Sequence, residues 1–318
     1  MKKLIAIAGF LPLMIFQMAT RKKNRMGGQA IIEGVMMRGK QKIAWAVRKP
    51  DGEMIVERET FISITKTNKF FALPVIRGAV SLFESLKVGY KALTRSAEIS
   101  MGEEPAKKGE KKSFKESASI TISMLFAVVV SIGLFMYLPM FISQLFFSKT
   151  AIAFNLCAGG IRILLFLAYL IGISFWKDIQ RVFQYHGAEH KAIFAFEDDK
   201  ELTNDNLRPY PTLHPRCGTS FLLLVALVCI FIFTVIDSLI MHFTGLYSML
   251  IVRFAVHITL VPLVGGLSYE VLRMSDRYQH VFPVSLLIKP GLWLQYITTK
   301  QPDDKQLETA AAALKAAL

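Results

Sequence analysis

The segment Tyr185-His186-Gly187-Ala188-Glu189-His190 holds an H-x-x-E-H pentapeptide just past the end of a long apolar run. On a helix, His186 and His190 stand one turn apart on one face, so both imidazoles reach a single metal ion. Glu189 lies beside His190 and can take the proton of a water that the metal acidifies, which is the logic of the inverted zinc motif. A second cluster, His214-Pro215-Arg216-Cys217-Gly218, adds two more ligand types that zinc prefers. If His186, His190, His214 and Cys217 all bind, the site is closed and structural. If only three bind, or Glu270 replaces Cys217, a position stays open for water. A third reading has no metal at all and makes the cluster a hydrogen-bonded polar cap over helix ends. Zn2+ is the expected cofactor and Glu189 the expected general base.

The setting for these residues is a membrane. The chain has 318 residues, 53% of them hydrophobic, with net charge +14 and mean hydropathy +0.41. Soluble domains are rarely so apolar, and here the apolar residues are concentrated in four runs, 120–147, 151–176, 219–243 and 246–272. Each is long enough to cross a bilayer as a helix. A single run of this kind could be a buried core helix; four in succession predict a polytopic membrane protein.

Lysine and arginine set the expected orientation. There are 21 between residues 21 and 117, six between 177 and 218 and six beyond 272, against one near Lys149 and none near Gly245. Four spans with the basic segments on the cytosolic side satisfy every connection. Both His clusters then face a reducing compartment, so Cys157, Cys217 and Cys229 are expected to stay unpaired, the first and last as small packing residues. Residues 1–25 resemble a signal peptide in pattern, Met1-Lys2-Lys3 followed by an apolar run. Cleavage would export the basic segment behind it. A signal anchor forming a fifth span is therefore preferred, and an upstream extension before Met26 is the alternative.

Between 27 and 64 the pattern shifts to short alternating runs, 29–37, 43–48 and 54–64, with Pro50-Asp51-Gly52 as a hairpin turn. This predicts a small antiparallel sheet. Its glycine-rich opening lacks the spacing of a phosphate or dinucleotide loop, so tight packing is the default role of those glycines, with Glu33 and Arg38 as secondary binding candidates. Residues 70–99 read as an amphipathic helix broken near Pro74. The charged linker that follows, with Lys107, Lys108, Lys111 and Lys112, lacks interleaved aromatics and suits anionic lipid heads rather than nucleic acid.

The apolar runs contain polar residues of their own. If the third and fourth spans form a hairpin near Gly245, Asp237 and Arg253 fall at one depth and neutralise each other, with His257 one turn deeper. The same geometry sets Glu270 level with Thr219, beside Cys217. Gly265-Gly266 permits close helix approach, and Pro262 is expected to kink the span.

Four stretches resemble the YqhQ-like bacterial membrane family. They are Gly27-Gly28-Gln29-Ala30-Ile31-Ile32-Glu33-Gly34-Val35-Met36-Met37-Arg38, Tyr185-His186-Gly187-Ala188-Glu189-His190-Lys191, His214-Pro215-Arg216-Cys217-Gly218-Thr219-Ser220-Phe221 and Gly291-Leu292-Trp293-Leu294-Gln295. The likeness runs in order from Gly27 to the C-terminus and leaves out 1–25. That family is catalogued as a domain of unknown function labelled a predicted metal-dependent enzyme, so the resemblance implies a metal-dependent membrane protein without naming a reaction.

The expected architecture is mainly α and polytopic. It has an apolar segment at 1–25, a small cytosolic β domain at 26–69, and an amphipathic helix with its linker at 70–117. A four-span domain at 118–275 carries the metal-site loop 177–218, and 276–318 form a cytosolic helical tail. The expected function is zinc-dependent hydrolysis, with peptide or amide substrates ahead of lipid-derived ones. The competing expectation is a membrane scaffold or assembly factor whose zinc is structural. Expected partners are the lipid bilayer and other membrane proteins, and the expected location is the bacterial inner membrane.

Overall fold

The computed structural model describes residues 26–102, 114–148, 152–244, 250–277 and 284–318. The expected fifth span at 1–25, most of the lysine-rich linker and the turn at Gly245 lie outside the described residues. The fold is mainly helical with one four-stranded antiparallel sheet in the order β1-β2-β3-β4: Gly27–Ile31, Gly34–Arg38, Lys42–Arg48 and Met54–Thr60.

The run 29–37 is two strands, not one. Glu33 adopts a positive φ of 49° and closes a tight turn from Ile31 to Gly34. A side chain at Gly34 would collide with the Ala46 carbonyl on β3, so only glycine lets β2 pair there. Apolar residues continue through Ile31 and Ile32 to Val35, which hid the turn from pattern reading. The expected turn at Pro50-Asp51-Gly52 does join β3 to β4, with Gly52 at φ 91°.

Both faces of the sheet are covered. Helix α1, Ile76–Ser100, lays Val88, Ala92 and Ile99 on Ile31, Met36, Ile43, Trp45 and Val47. On the other face Val35, Met37, Ala44 and Ala46 meet Tyr185, Ala188, Ala192, Leu307, Ala310 and Leu314. Alanines on both sides let helix and strand backbones approach closely. The last three partners belong to the C-terminal helix, so the end of the chain completes the core of the sheet near its start. Charges on edge strand β4 are matched by α1: Arg95 grips Glu57, and Lys91 pairs with Glu59.

The long apolar helices follow. Phe114–Ile132 (α2) runs through a π-turn at Gly133–Tyr137 into Leu138–Phe146 (α3), then come Ile152–Ile173 (α4), Lys177–Glu197 (α5), Gly218–Thr244 (α6) and Leu250–Arg277 (α7). Val284–Thr298 (α8) packs along α6, and Asp304–Ala317 (α9) is the helix on the sheet. Among the described residues four stretches are long and apolar enough to cross a membrane: Leu125–Phe146, Ile152–Ile173, Phe221–Ile240 and Ile251–Met274. Phe126, Leu164, Phe231 and Ile251 are all exposed on them, an apolar surface of the kind that suits hydrocarbon better than water.

The polar network inside these helices matches the hairpin expectation. Asp237 Oδ2 forms an ion pair with Arg253 Nε at 2.9 Å, and its Oδ1 lies 2.9 Å from His257 Nε2. Phe154 lies under the Arg253 guanidinium, and Phe233 stacks on His257. Pairing of this kind removes most of the cost of burying charge among apolar helices. Arg162 is an addition that sequence reading missed: from mid-α4 its Nε donates to the Phe135 carbonyl at 3.2 Å, inside the π-turn.

Candidate metal centre

Helix α5 carries the pentapeptide, and most of its second half is buried between the sheet, α9 and the segment after α8. Gly187 makes this possible. A methyl group there would strike the Lys300 carbonyl, whose own amide donates to Phe183 O at 2.9 Å. The chain leaving α8 therefore crosses directly over α5, and the Thr298 carbonyl lands on His186.

That crossing sets the histidine tautomer. His186 Nδ1 is 2.8 Å from Thr298 O, and His190 Nδ1 contacts Thr212 O. A carbonyl oxygen only accepts, so both Nδ1 atoms carry a hydrogen, and in the neutral rings both Nε2 atoms present a lone pair. Ligating histidines in metalloproteins are held in this way by their outer partners. His186 Nε2 lies 3.0 Å from Cys217 Sγ. The ligand atoms of His186, His190 and Cys217 all fall within 4.8 Å of one another. Two donors on one tetrahedral zinc, each about 2.0–2.3 Å from the ion, stand roughly 3.5 Å apart, so the three fit a single ion.

Cys217 directly precedes α6. Its sulfur receives the Thr219 amide at 3.4 Å and lies 3.1 Å from Thr219 Oγ1, donors suited to a negatively charged ligand atom. His214 is near but set back. Its ring centroid is 5.5 Å from that of His190, and its Nδ1 accepts from the Arg216 amide at 3.2 Å. Gln295 of α8 clamps the His214 backbone, accepting from its N–H at 2.7 Å and donating to its carbonyl at 2.8 Å. Lys191 is buried and donates to the Arg208 and Tyr210 carbonyls, which pins the loop that supplies Thr212. Burial depresses its ammonium pKa.

Glu189 is buried, with Oε2 3.7 Å from His190 Nε2 and 4.0 Å from His186 Nε2. Desolvation pushes its carboxyl up to about 7, opposed by His186 and by a hydrogen bond from the Gly28 amide. A Cβ on Gly28 would sit 2.6 Å from Glu189 Oε1. The glycine-rich strand thus has a packing duty, and what it packs against is this carboxylate. Glu33 and Arg38 are structural as well: Glu33 pairs with Arg181 of α5, and Arg38 lies on Phe61 while reaching Glu84.

Glu270 is not brought to this cluster. Its carboxylate holds Arg77 and takes the Val75 amide at 3.3 Å, at the start of α1. Matching depth on two helices fixes height but not direction, and α1 stands on that side of α7.

A model of one family matches residues 73–318, a stretch that includes all three converging donors and Glu189. The chain belongs to that family, described as a protein of unknown function (DUF1385). It is also similar to the uncharacterized protein YqhQ of Bacillus subtilis (strain 168), at 32% identity over 294 residues and 89% of each chain. No solved structure matches. Neither description names a reaction. Gln295, and the backbone carbonyls of Thr212 and Thr298, were missed from sequence. Only Gln295 left a trace, as the last residue of the resemblance stretch at 291–295.

Proposed function

We propose that the protein is a membrane-inserted zinc hydrolase of the inner membrane, with its centre at the cytosolic surface and a peptide or amide as substrate. The observation that carries this reading is the convergence of two carbonyl-anchored Nε2 atoms and Cys217 Sγ beside a buried carboxylate. Three protein donors, His186, His190 and Cys217, would hold the ion and would leave room for a water, as catalytic rather than structural zinc sites do. Bound zinc supplies a Lewis acid that polarises a carbonyl and acidifies water. Glu189 Oε2, within 4.0 Å of both Nε2 atoms, is placed to take the proton of such a water. The Thr212 and Thr298 carbonyls keep the two imidazoles from turning away, and Gln295 holds the His214 backbone in the loop that leads to Cys217.

A second reading has one observation in its favour. His214 lies close enough to His190 for a modest loop movement to close a four-donor site, which would make the metal structural. Elemental analysis of protein purified without chelators is expected to find about one equivalent of zinc per chain. Absence of any stoichiometric transition metal would end both readings.

The orientation is supported by how the basic segments pack. Residues 27–60, α5 and α9 share one core, so they lie on one side of the four long helices, as the positive-inside rule favours for segments this basic. With Glu201→Cys and Ser148→Cys, both at exposed positions, a membrane-impermeant thiol reagent applied to intact cells should label only the second. Labelling of the first alone would invert the assignment.

A further inference from the structure

A cavity of about 500 Å³ lies between the start of α1 and the last turns of α7, with Arg77, Arg216, Arg273, Ser81, Tyr269 and Leu272 among its walls. Two of the arginines are already matched, Arg77 by Glu270 and Arg216 by Glu197. Arg273 is exposed and makes no hydrogen bond or ion pair among the described residues, and the same holds for the hydroxyls of Ser81 and Tyr269. Among the described residues, three cations against two anions leave the cavity one positive charge in excess, ringed by hydrogen-bond donors.

Its depth follows from helix packing. Tyr269, Leu272 and Arg273 fall in the last six residues of the membrane-length stretch Ile251–Met274. Helix α1 meets α7 further in: a Cβ on Gly78 would lie 2.7 Å from Gly266 O, and one on Gly265 would lie 2.9 Å from Leu82. At 1.5 Å per residue, Gly266 is about 12 Å along α7 from Met274, so the first turns of α1 pack beside the membrane-length stretch rather than beyond its end. Apolar side chains along this route face outward: Phe70 and Leu73 before the helix, then Phe83, Leu86, Tyr90 and Leu93 at helical spacing along one side. The basic cavity therefore sits at headgroup level, flanked by an apolar surface that acyl chains can line.

We infer that this cavity binds the phosphate of an anionic phospholipid, with Arg273, Ser81 and Tyr269 as donors. An arginine fork and hydroxyls suit phosphate oxygens. Both carboxylates are engaged by arginines, so neither is available to a choline or ethanolamine ammonium, and the excess charge favours an anionic headgroup over a zwitterionic one. The site stands apart from the zinc reading, since none of its three donors is a proposed ligand.

The full chain, purified in detergent, is tested by native mass spectrometry with phosphatidylglycerol, phosphatidylcholine or inorganic phosphate, in metal-loaded and chelated forms alike. Phosphatidylglycerol should be retained about tenfold better than phosphatidylcholine, and Arg273→Gln should erase that preference, with Tyr269→Phe weakening it in part. Arg273 is exposed, and among the described residues its charge acts on Glu270 without a hydrogen bond or ion pair, so Arg273→Gln should melt close to the parent when lipid is absent. Equal retention of the two lipids, or an undiminished preference in Arg273→Gln, overturns the inference. Binding of inorganic phosphate with no retained phosphatidylglycerol overturns the lipid as occupant.

Discussion

Glu189→Gln is expected to keep its zinc and its fold while lowering activity about 10²–10⁴-fold, the usual cost of removing a general base. The substitution is nearly isosteric. Glutamine retains an oxygen to accept from the Gly28 amide, and it fills the same space against a glycine that tolerates no extra atom there. What it lacks is a site to accept a proton. The readouts are complementation of a strain lacking the gene, and zinc content of the purified variant. In a closed structural site Glu189 has no proton to move, and the same change would be nearly silent. Cys217→Ser approaches from the other side, since it should remove zinc whenever the sulfur is a ligand. A silent Glu189→Gln beside a damaging Cys217→Ser would replace the hydrolase with a scaffold.

His190→Ala is expected to remove most of the zinc. Losing an outer-shell partner of a ligand costs about 10–100-fold in affinity, and losing the ligand itself costs more. The residue is 1% exposed and its Nδ1 also anchors the Thr212 loop, so part of the effect arises from local loosening. Cys229→Ser supplies the control, because Cys229 is a free, half-buried thiol in α6 away from the cluster. Zinc by elemental analysis after gel filtration, with circular dichroism to follow the fold, reads both. Full zinc in His190→Ala would remove the pentapeptide from the site.

Much of the candidate site was legible because its donors lie close together along the chain. His186 and His190 are four residues apart on one helix, and His214 and Cys217 three apart on one loop, so local geometry nearly presents them together. The Asp237, Arg253 and His257 network was legible for a related reason: two antiparallel helices joined by a short turn match residues by their distance from it. Glu270 shows where that reasoning ends. Distance from a turn gives depth, whereas the direction a side chain takes depends on the neighbouring helix, and the start of α1 had captured the carboxylate.

The sequence by itself determined the apolar helices, the basic segments between them, the hairpin at Gly52 and the ligand types, because each depends on composition or on spacing within a few residues. Tertiary structure alone decided which nitrogen each histidine presents. Thr212 and Thr298 act through backbone carbonyls, which every residue possesses, so no residue type marks them. It also decided that the last helix closes the sheet near the start of the chain, and that Gly28 and Gly187 are points of close approach around the cluster. Those contacts join residues more than a hundred positions apart, and only the packed chain brings them together.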